Sequence, residues 1–193
     1  LRRSPSLKGT TSRKEKDIPK IISGVFNSRT TGAPLTILFE NESTISSDYD
    51  QIKNIPRPGH ADFTAYNKYN GFNDYRGGGH FSGRLTLPLV AAGVIAKKMI
   101  NPMEISASIS EIGGMTEYEQ LIDQCAASGD SLGGTIKCAA RNIPVGLGEP
   151  FFNSVESLIA HLVFSIPGVK GIEFGSGFKT AKMKGSQVND IIS

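Results

Sequence analysis

The sequence predicts an α+β protein, with antiparallel sheet covered by helices, as one domain over residues 1–193. Three features point that way. Strand-like and helix-like runs interleave without a repeating βαβ order. The first two apolar runs are separated by a short polar stretch, as in a hairpin. The longer apolar-periodic segments carry helix start and stop residues. The chain's 193 residues, 38% hydrophobic and 20% charged, are enough for a domain with its own core.

In chain order, residues 1–17 are polar and basic, broken by Pro5 and Gly9, and read as an arm. Pro19–Phe26 and Pro34–Phe39, joined by NSRTTGA, read as paired strands. Asn41–Pro56 is polar and turn-rich. Phe63–Tyr69 nearly alternates and reads as a strand or a ligand-facing loop. A helix over Leu85–Ile100 is expected, N-capped by Ser82, with Pro88 imposing a kink or a late start and Asn101-Pro102 a stop. Met103–Ile112 alternates as a half-buried strand does. Thr116–Ser128 opens with the capping box Thr116-x-x-Glu119 and closes at Gly129. A strand over Ser131–Ala140 and a helix over Asn153–Ile166, capped by Asn153, follow. Val169–Phe174 and Phe178–Met183 read as a closing strand pair.

The net charge of +3 is too small to argue for a nucleic-acid partner. Its excess is local, with seven Lys or Arg against two acids in residues 1–20, either a polyanion-binding arm or a solvated end. Cys125 and Cys138, thirteen apart, offer neither metal-ligand spacing nor a disulfide framework and read as reduced thiols of a cytoplasmic protein. Lys97 and Lys98 interrupt the longest apolar run, so no membrane span is expected. The start lacks both an apolar signal region and an initiator Met, which suggests a beginning inside a longer protein.

Chemistry concentrates in RPGHADFTAYNKYNGFNDYRGGGHFSGR, Arg57 to Arg84. It holds His60 and His80, the cations Arg57, Lys68, Arg76 and Arg84, and the run Gly77–Gly79 ahead of the long helix. Glycine-run N–H groups at a helix start can face an anion. Arginines grip carboxylate or phosphate, and imidazoles move protons near neutral pH. The spacing predicts an anion-binding, proton-moving site.

RPGHAD and RGGGHFSGR closely resemble segments of chorismate synthase, as do IISGVF, TTGAP, GDSLGG, GLGEP, VKGIEFGSGF and GSQVND in family order. The resemblance implies a helical layer packed between antiparallel β-sheets, usually in a homotetramer. It implies a lyase that removes phosphate and a ring proton from 5-enolpyruvylshikimate-3-phosphate to give chorismate, using reduced FMN. No nicotinamide fingerprint G-x-G-x-x-G follows a strand, which leaves open the flavin reductase activity that some members have.

By the same resemblance His60 matches the histidine that protonates the reduced flavin. His80, Phe81 and Ser82 match the flavin-lining segment after the triple glycine, although many members have Arg-Ser-Ser-Ala-Arg where this chain has His80-Phe81-Ser82-Gly83-Arg84. Pro167 and Gly168 match a loop that approaches the flavin, with Asn-Ala in many members. Arg84 matches a substrate-contacting arginine, and no acid sits at 80 or 88 to pair with it along the helix. Arg3 and Lys8 match basic residues that reach bound phosphate. His161 reads as a packed helix residue. No metal site is implied.

The resemblance starts partway into the family pattern, after its Gly-Glu-Ser-His-Gly motif, and stops after GSQVND. The expectation is an incomplete domain, inactive alone, with His60, His80, Ser82 and Arg84 converging near the start of the long helix. Uncovered apolar surface would then favour self-association, and a silent, self-associating homologue is the alternative reading.

Overall fold

The computed structural model describes residues 16–41, 45, 47–50 and 53–190. The chain divides into two units, Leu1–Ala140 and Arg141–Ser193. Helices and small antiparallel sheets are mixed in it, an α+β arrangement. No helix among the described residues is long and apolar enough to cross a membrane.

The first unit opens with two nested pairs where one pair of strands was expected. The strands are β1 (Lys20–Ser23), β2 (Val25–Phe26), β3 (Arg29–Thr30) and β4 (Thr36–Leu38). β1 lies antiparallel to β4, with Lys20 opposite Leu38 and Ile21 opposite Ile37; the register then slips so that Ser23 meets Thr36. β2 and β3 form the inner hairpin. Its turn residues, Asn27 and Ser28, both take positive φ (46° and 60°), the pattern whose twist suits a two-residue hairpin. Gly24 sits between the two pairs at φ 84°, where a Cβ would stand 2.7 Å from the Leu35 Cα. Only glycine allows the backbones to approach that closely.

After the short helix α1 (Ser47–Asp50), α2 spans Asp62–Lys68, which corrects the expectation of a strand or loop over Phe63–Tyr69. Near-alternation lost to local helix bonding. Asp62 puts an acid in the first turn, Asn67 Nδ2 donates to the Phe63 carbonyl, and Ala65 is buried. Two 3-10 turns, Arg76–Phe81 and Gly83–Leu85, lead into α3 (Thr86–Met99). Pro88 is the third residue of α3, within the first turn, where a missing N–H costs no helical bond. Leu87 and Ala91, one turn apart, are buried.

The Lys97 ammonium donates to the Ile105 carbonyl and ties α3 to β5 (Glu104–Ile112). α4 covers Glu119–Ala127, so the helix starts three residues after Thr116 and the expected capping box does not form. Ile112 and Met115 exchange backbone hydrogen bonds around a tight turn, which commits the preceding chain to another path. β6 (Gly134–Arg141) pairs with β5. Gly113 N–H donates to the Gly133 carbonyl and Thr135 Oγ1 to Glu111 Oε1, so the two strands run in opposite directions.

In the second unit α5 covers Val155–Val163. Its cap is Ser154, whose Oγ accepts from the Ser157 N–H, and not the expected Asn153. The Asn153 carbonyl instead accepts from the Glu149 N–H. His161 is exposed on α5, which corrects the packed position expected for it. The closing strand pair is absent among the described residues: Gly177–Lys182 is a 3-10 turn, followed by α6 (Gly185–Val188). Short-range bonds, Gly177 N–H to Phe174 and Lys179 N–H to Ser176, satisfy backbone groups that a ladder would have used.

Candidate functional site

The site is built in the first unit from the turn Arg57–Asp62 and the glycine run. Arg57 grips Asp62 with two parallel bonds, Nε to Oδ2 at 2.7 Å and Nη2 to Oδ1 at 2.9 Å. The Arg57 backbone N–H adds a third to Oδ2 at 3.0 Å. This hydrogen bonding holds the Asp62 carboxyl far below the ordinary carboxylate range and raises the guanidinium in turn. On its other side Arg57 lies 5.8 Å from the Tyr49 ring centre, within cation–π range.

His60 stands inside this clamp, half-buried. Its Nδ1 is 2.6 Å from Asp62 Oδ1. Arg57 Nη2 is 3.2 Å from Nδ1 and 3.3 Å from Nε2. A nitrogen so nearly equidistant from both lies over the ring face, because in the ring plane it would collide with Cε1.

The opposite wall is the glycine run. Gly77, Gly78 and Gly79 have φ of 62°, 85° and 52°. A Cβ on Gly78 would stand 3.3 Å from His60 Nε2, 3.4 Å from His60 Cε1 and 3.6 Å from Ser82 Cβ. Buried Gly78 therefore brings His60 and Ser82 to one place. A Cβ on Gly77 would meet nothing within 4 Å, so the run is open on that side. The Gly78 N–H is committed to the Tyr75 carbonyl.

The expected site residues fall as follows. His80 and Phe81 are exposed on the turn after the glycines. Ser82 Oγ accepts from the Arg84 N–H, capping the second 3-10 turn rather than α3. Arg84 is mostly buried, its Nη2 donating to the Glu40 carbonyl and lying 3.7 Å from Asp17 Oδ1. Pro167 and Gly168 belong to the second unit and follow α5, exposed. Arg3 and Lys8 lie outside the described residues.

The four cations of the stretch Arg57–Arg84 all have partners within the chain. Arg57 holds Asp62, and Arg76 holds Asp74 with two bonds of 2.9 Å. Lys68 lies 5.6 Å from the Tyr69 ring centre, and Arg84 faces Asp17 and Glu40. Sequence reading missed Asp62 as a member of the site, although its place five residues after Arg57 and two after His60 was a signal.

A family model described as chorismate synthase matches residues 1–193. The chain belongs to the chorismate synthase family. A chorismate synthase of Chitinophaga pinensis is 60% identical over 99% of this chain and 58% of its own length. Those of Dehalococcoides mccartyi and Thermococcus kodakarensis are 43% and 45% identical, over 98% and 93% of this chain and 60% and 58% of theirs. The chain thus spans less than two thirds of the length of these relatives. Family membership fits the geometry around Gly78, where the motifs RPGHAD and RGGGH meet in space.

Proposed function

We propose that the protein to which this sequence belongs is a lyase converting 5-enolpyruvylshikimate-3-phosphate to chorismate. A C–O bond to phosphate breaks, a ring C–H bond breaks, and a new C=C bond forms, with no net oxidation. The observation that carries the reading is the meeting of His60 with Gly78 and Ser82 in a chain matched to the family along its whole length.

Reduced FMN is the cofactor of this reading, and the residues present fit such a group. The glycine run offers a backbone face without side chains, open at Gly77, bordered by exposed Phe81 and His80 and by the Ser82 hydroxyl. These residues would hold it. When bound, the flavin supplies transient electron density to the allylic system. His60 supplies a proton-moving nitrogen at Nε2. Its Arg57 neighbour is neutralised by Asp62, so the imidazole stands beside a paired rather than a bare cation.

The substrate's carboxylates and phosphate require cationic partners, and Arg3, Lys8 and Arg84 are proposed for them. One preorganised donor to departing phosphate is worth roughly 10²–10³ in rate. The finer architecture proposed for the complete protein is a helical layer between antiparallel sheets, assembled as a homotetramer in the cytoplasm.

The test is a chimera in which residues 1–193 replace the matching segment of the Chitinophaga pinensis relative. Anaerobic incubation with reduced FMN and substrate should release phosphate and form chorismate in equal amounts. A folded chimera that binds flavin yet releases no phosphate above background would overturn the reading.

A further inference from the structure

Beyond the proposed role of His60, on which its catalytic meaning rests, a positioning role falls to two residues of α1. We infer that Tyr49 and Asp50 form a strap across the pocket, holding the His60 turn and the glycine run at their working separation.

Each wall is braced from within. Arg57 and Asp62 lock the turn that carries His60. On the other side Arg76 forks onto Asp74, and the Gly78 N–H donates to the Tyr75 carbonyl at 3.3 Å. Neither set of bonds reaches from one wall to the other, whereas α1 touches both. Tyr49 presents its ring to Arg57, with 5.8 Å from the guanidinium carbon to the ring centre. Asp50, the next residue, accepts from the Tyr75 hydroxyl at 2.9 Å across 25 positions of sequence. Adjacent residues on a helix point about 100° apart, so one turn can address two walls at once.

The contacts close into a ring in which Asp50 stands opposite His60. From Asp50 the path runs through Tyr75 to Gly78, across to the His60 edge, on to Arg57 and back to Tyr49. Asp50 also pushes the Tyr75 phenol above its ordinary range, first through the hydrogen bond and then through its charge. The phenol therefore remains a donor throughout the neutral range. A single helical turn has little stability of its own, so α1 keeps its place through these side-chain contacts. If one end is released, the other has nothing fixed to pull against. The imidazole then answers to Asp50, on the far side of the ring.

The strap is read first in the unsubstituted protein. Nuclear Overhauser contacts should join the Tyr49 ring protons to the Arg57 guanidinium protons, and their absence would overturn the inference without any variant having to fold. Tyr75→Phe and Asp50→Ala should each shift the His60 ring signals, with exposed His161 in the second unit as the unmoved reference. The double variant should match the larger single shift, because both substitutions remove the same bond. Asp50→Asn, whose amide oxygen still accepts, should return the signals toward the parent position. His60 signals unmoved by either single variant, or shifts that simply add in the double, would also sink the strap.

In the active chimera at saturating reduced FMN, Asp50→Ala and Tyr75→Phe should each lower kcat about 10-fold or more, with the substrate KM nearly unchanged. Displaced His60 signals with an unchanged kcat would remove the strap from the reaction. A chimera inactive before any substitution would sink the proposed reaction instead, and the Overhauser contacts and ring signals would still decide the strap.

Discussion

The Nε2–Cε1 edge of His60 lies against Gly78, with the missing Cβ of that glycine 3.3 Å and 3.4 Å from the two ring atoms. The contact joins two motifs some eighteen residues apart in sequence, and it makes Gly78 a steric gauge of where the imidazole sits. Gly78→Ala should therefore displace the ring and also strain a backbone held at φ 85°. A cost of about 1–2 kcal/mol is expected from the backbone alone. Gly77→Ala separates the two effects, since Gly77 has positive φ but open space beyond it. Denaturant titration should show both variants destabilised, while only Gly78→Ala shifts the His60 ring resonances. Equal shifts in both would show that the contact is immaterial.

His60→Ala, introduced into the active chimera, should lower kcat by roughly 10²–10⁴ with a modest change in substrate affinity. Steady-state kinetics separates the two quantities. A raised KM at unchanged kcat would make His60 a binding residue and not a proton-moving one.

Arg84 has a structural duty that can be measured without any ligand. Its guanidinium contacts the Glu40 carbonyl and faces the buried Asp17 carboxylate, joining the start of α3 to the N-terminal strands. Arg84→Lys keeps the charge but not the planar fork, and should lower unfolding free energy by about 1 kcal/mol. If substrate contact is its larger role, substrate affinity in the chimera should weaken by on the order of 1–3 kcal/mol while flavin affinity holds. Calorimetry of each ligand decides between the two roles.

The Arg57–Asp62 clamp also predicts a pH dependence, and its sign follows from the direction of the Asp62 shift. The folded protein holds this carboxyl below its ordinary range, so the folded state binds its proton less readily than the unfolded chain does. The stabilisation is therefore complete above the ordinary Asp value of about 4 and fades as pH falls from there toward the depressed folded value. Because the pair is only half-buried, about 1 kcal/mol is expected after solvent screening. Denaturation at pH 6 and pH 3 should show a larger loss in the parent than in Asp62→Asn. An identical loss in both would place the acid sensitivity elsewhere.

Helix capping offers a test of a local misreading. Ser154→Ala should destabilise α5 by about 1 kcal/mol, whereas replacing the Asn153 side chain should do little, because Asn153 uses its backbone carbonyl. Paired denaturation curves for the two substitutions check this.

That misreading marks the limit of what the residues alone disclose. Asn and Ser are both good caps, and the choice between them fell to the Glu149–Asn153 bridge, a contact between backbones that leaves no side-chain signature. Phe63–Tyr69 failed for a related reason: its near-alternation was legible, while the backbone bonds that make it a helix, such as Tyr69 N–H to the Ala65 carbonyl, leave no side-chain signature. Long periodic elements such as α3 and β5 were placed to within a residue or so, because apolar spacing marks their extent; β5 is nonetheless exposed along nearly its whole length, which corrects the half-buried strand expected there. In the site, His60 and the glycine run stood out as motifs. Their mutual contact did not, and neither did the pairing of Arg57 and Arg76 with acids of this same chain, since charge pairing depends on which rotamers the fold permits.

The clamp described above closes a loop only six residues long, with His60 near its middle. Such a loop costs little entropy to close and can form on a timescale of about tens of nanoseconds, long before strands or helices dock. The imidazole can thus acquire its orientation early in folding, from information carried by its immediate neighbours. Its opposite wall, Gly78, is contributed from well beyond α2 and arrives only with the later consolidation of the unit. The two sides of one pocket are then made at different times: the reactive nitrogen is aimed first, and the surface it faces is brought to it.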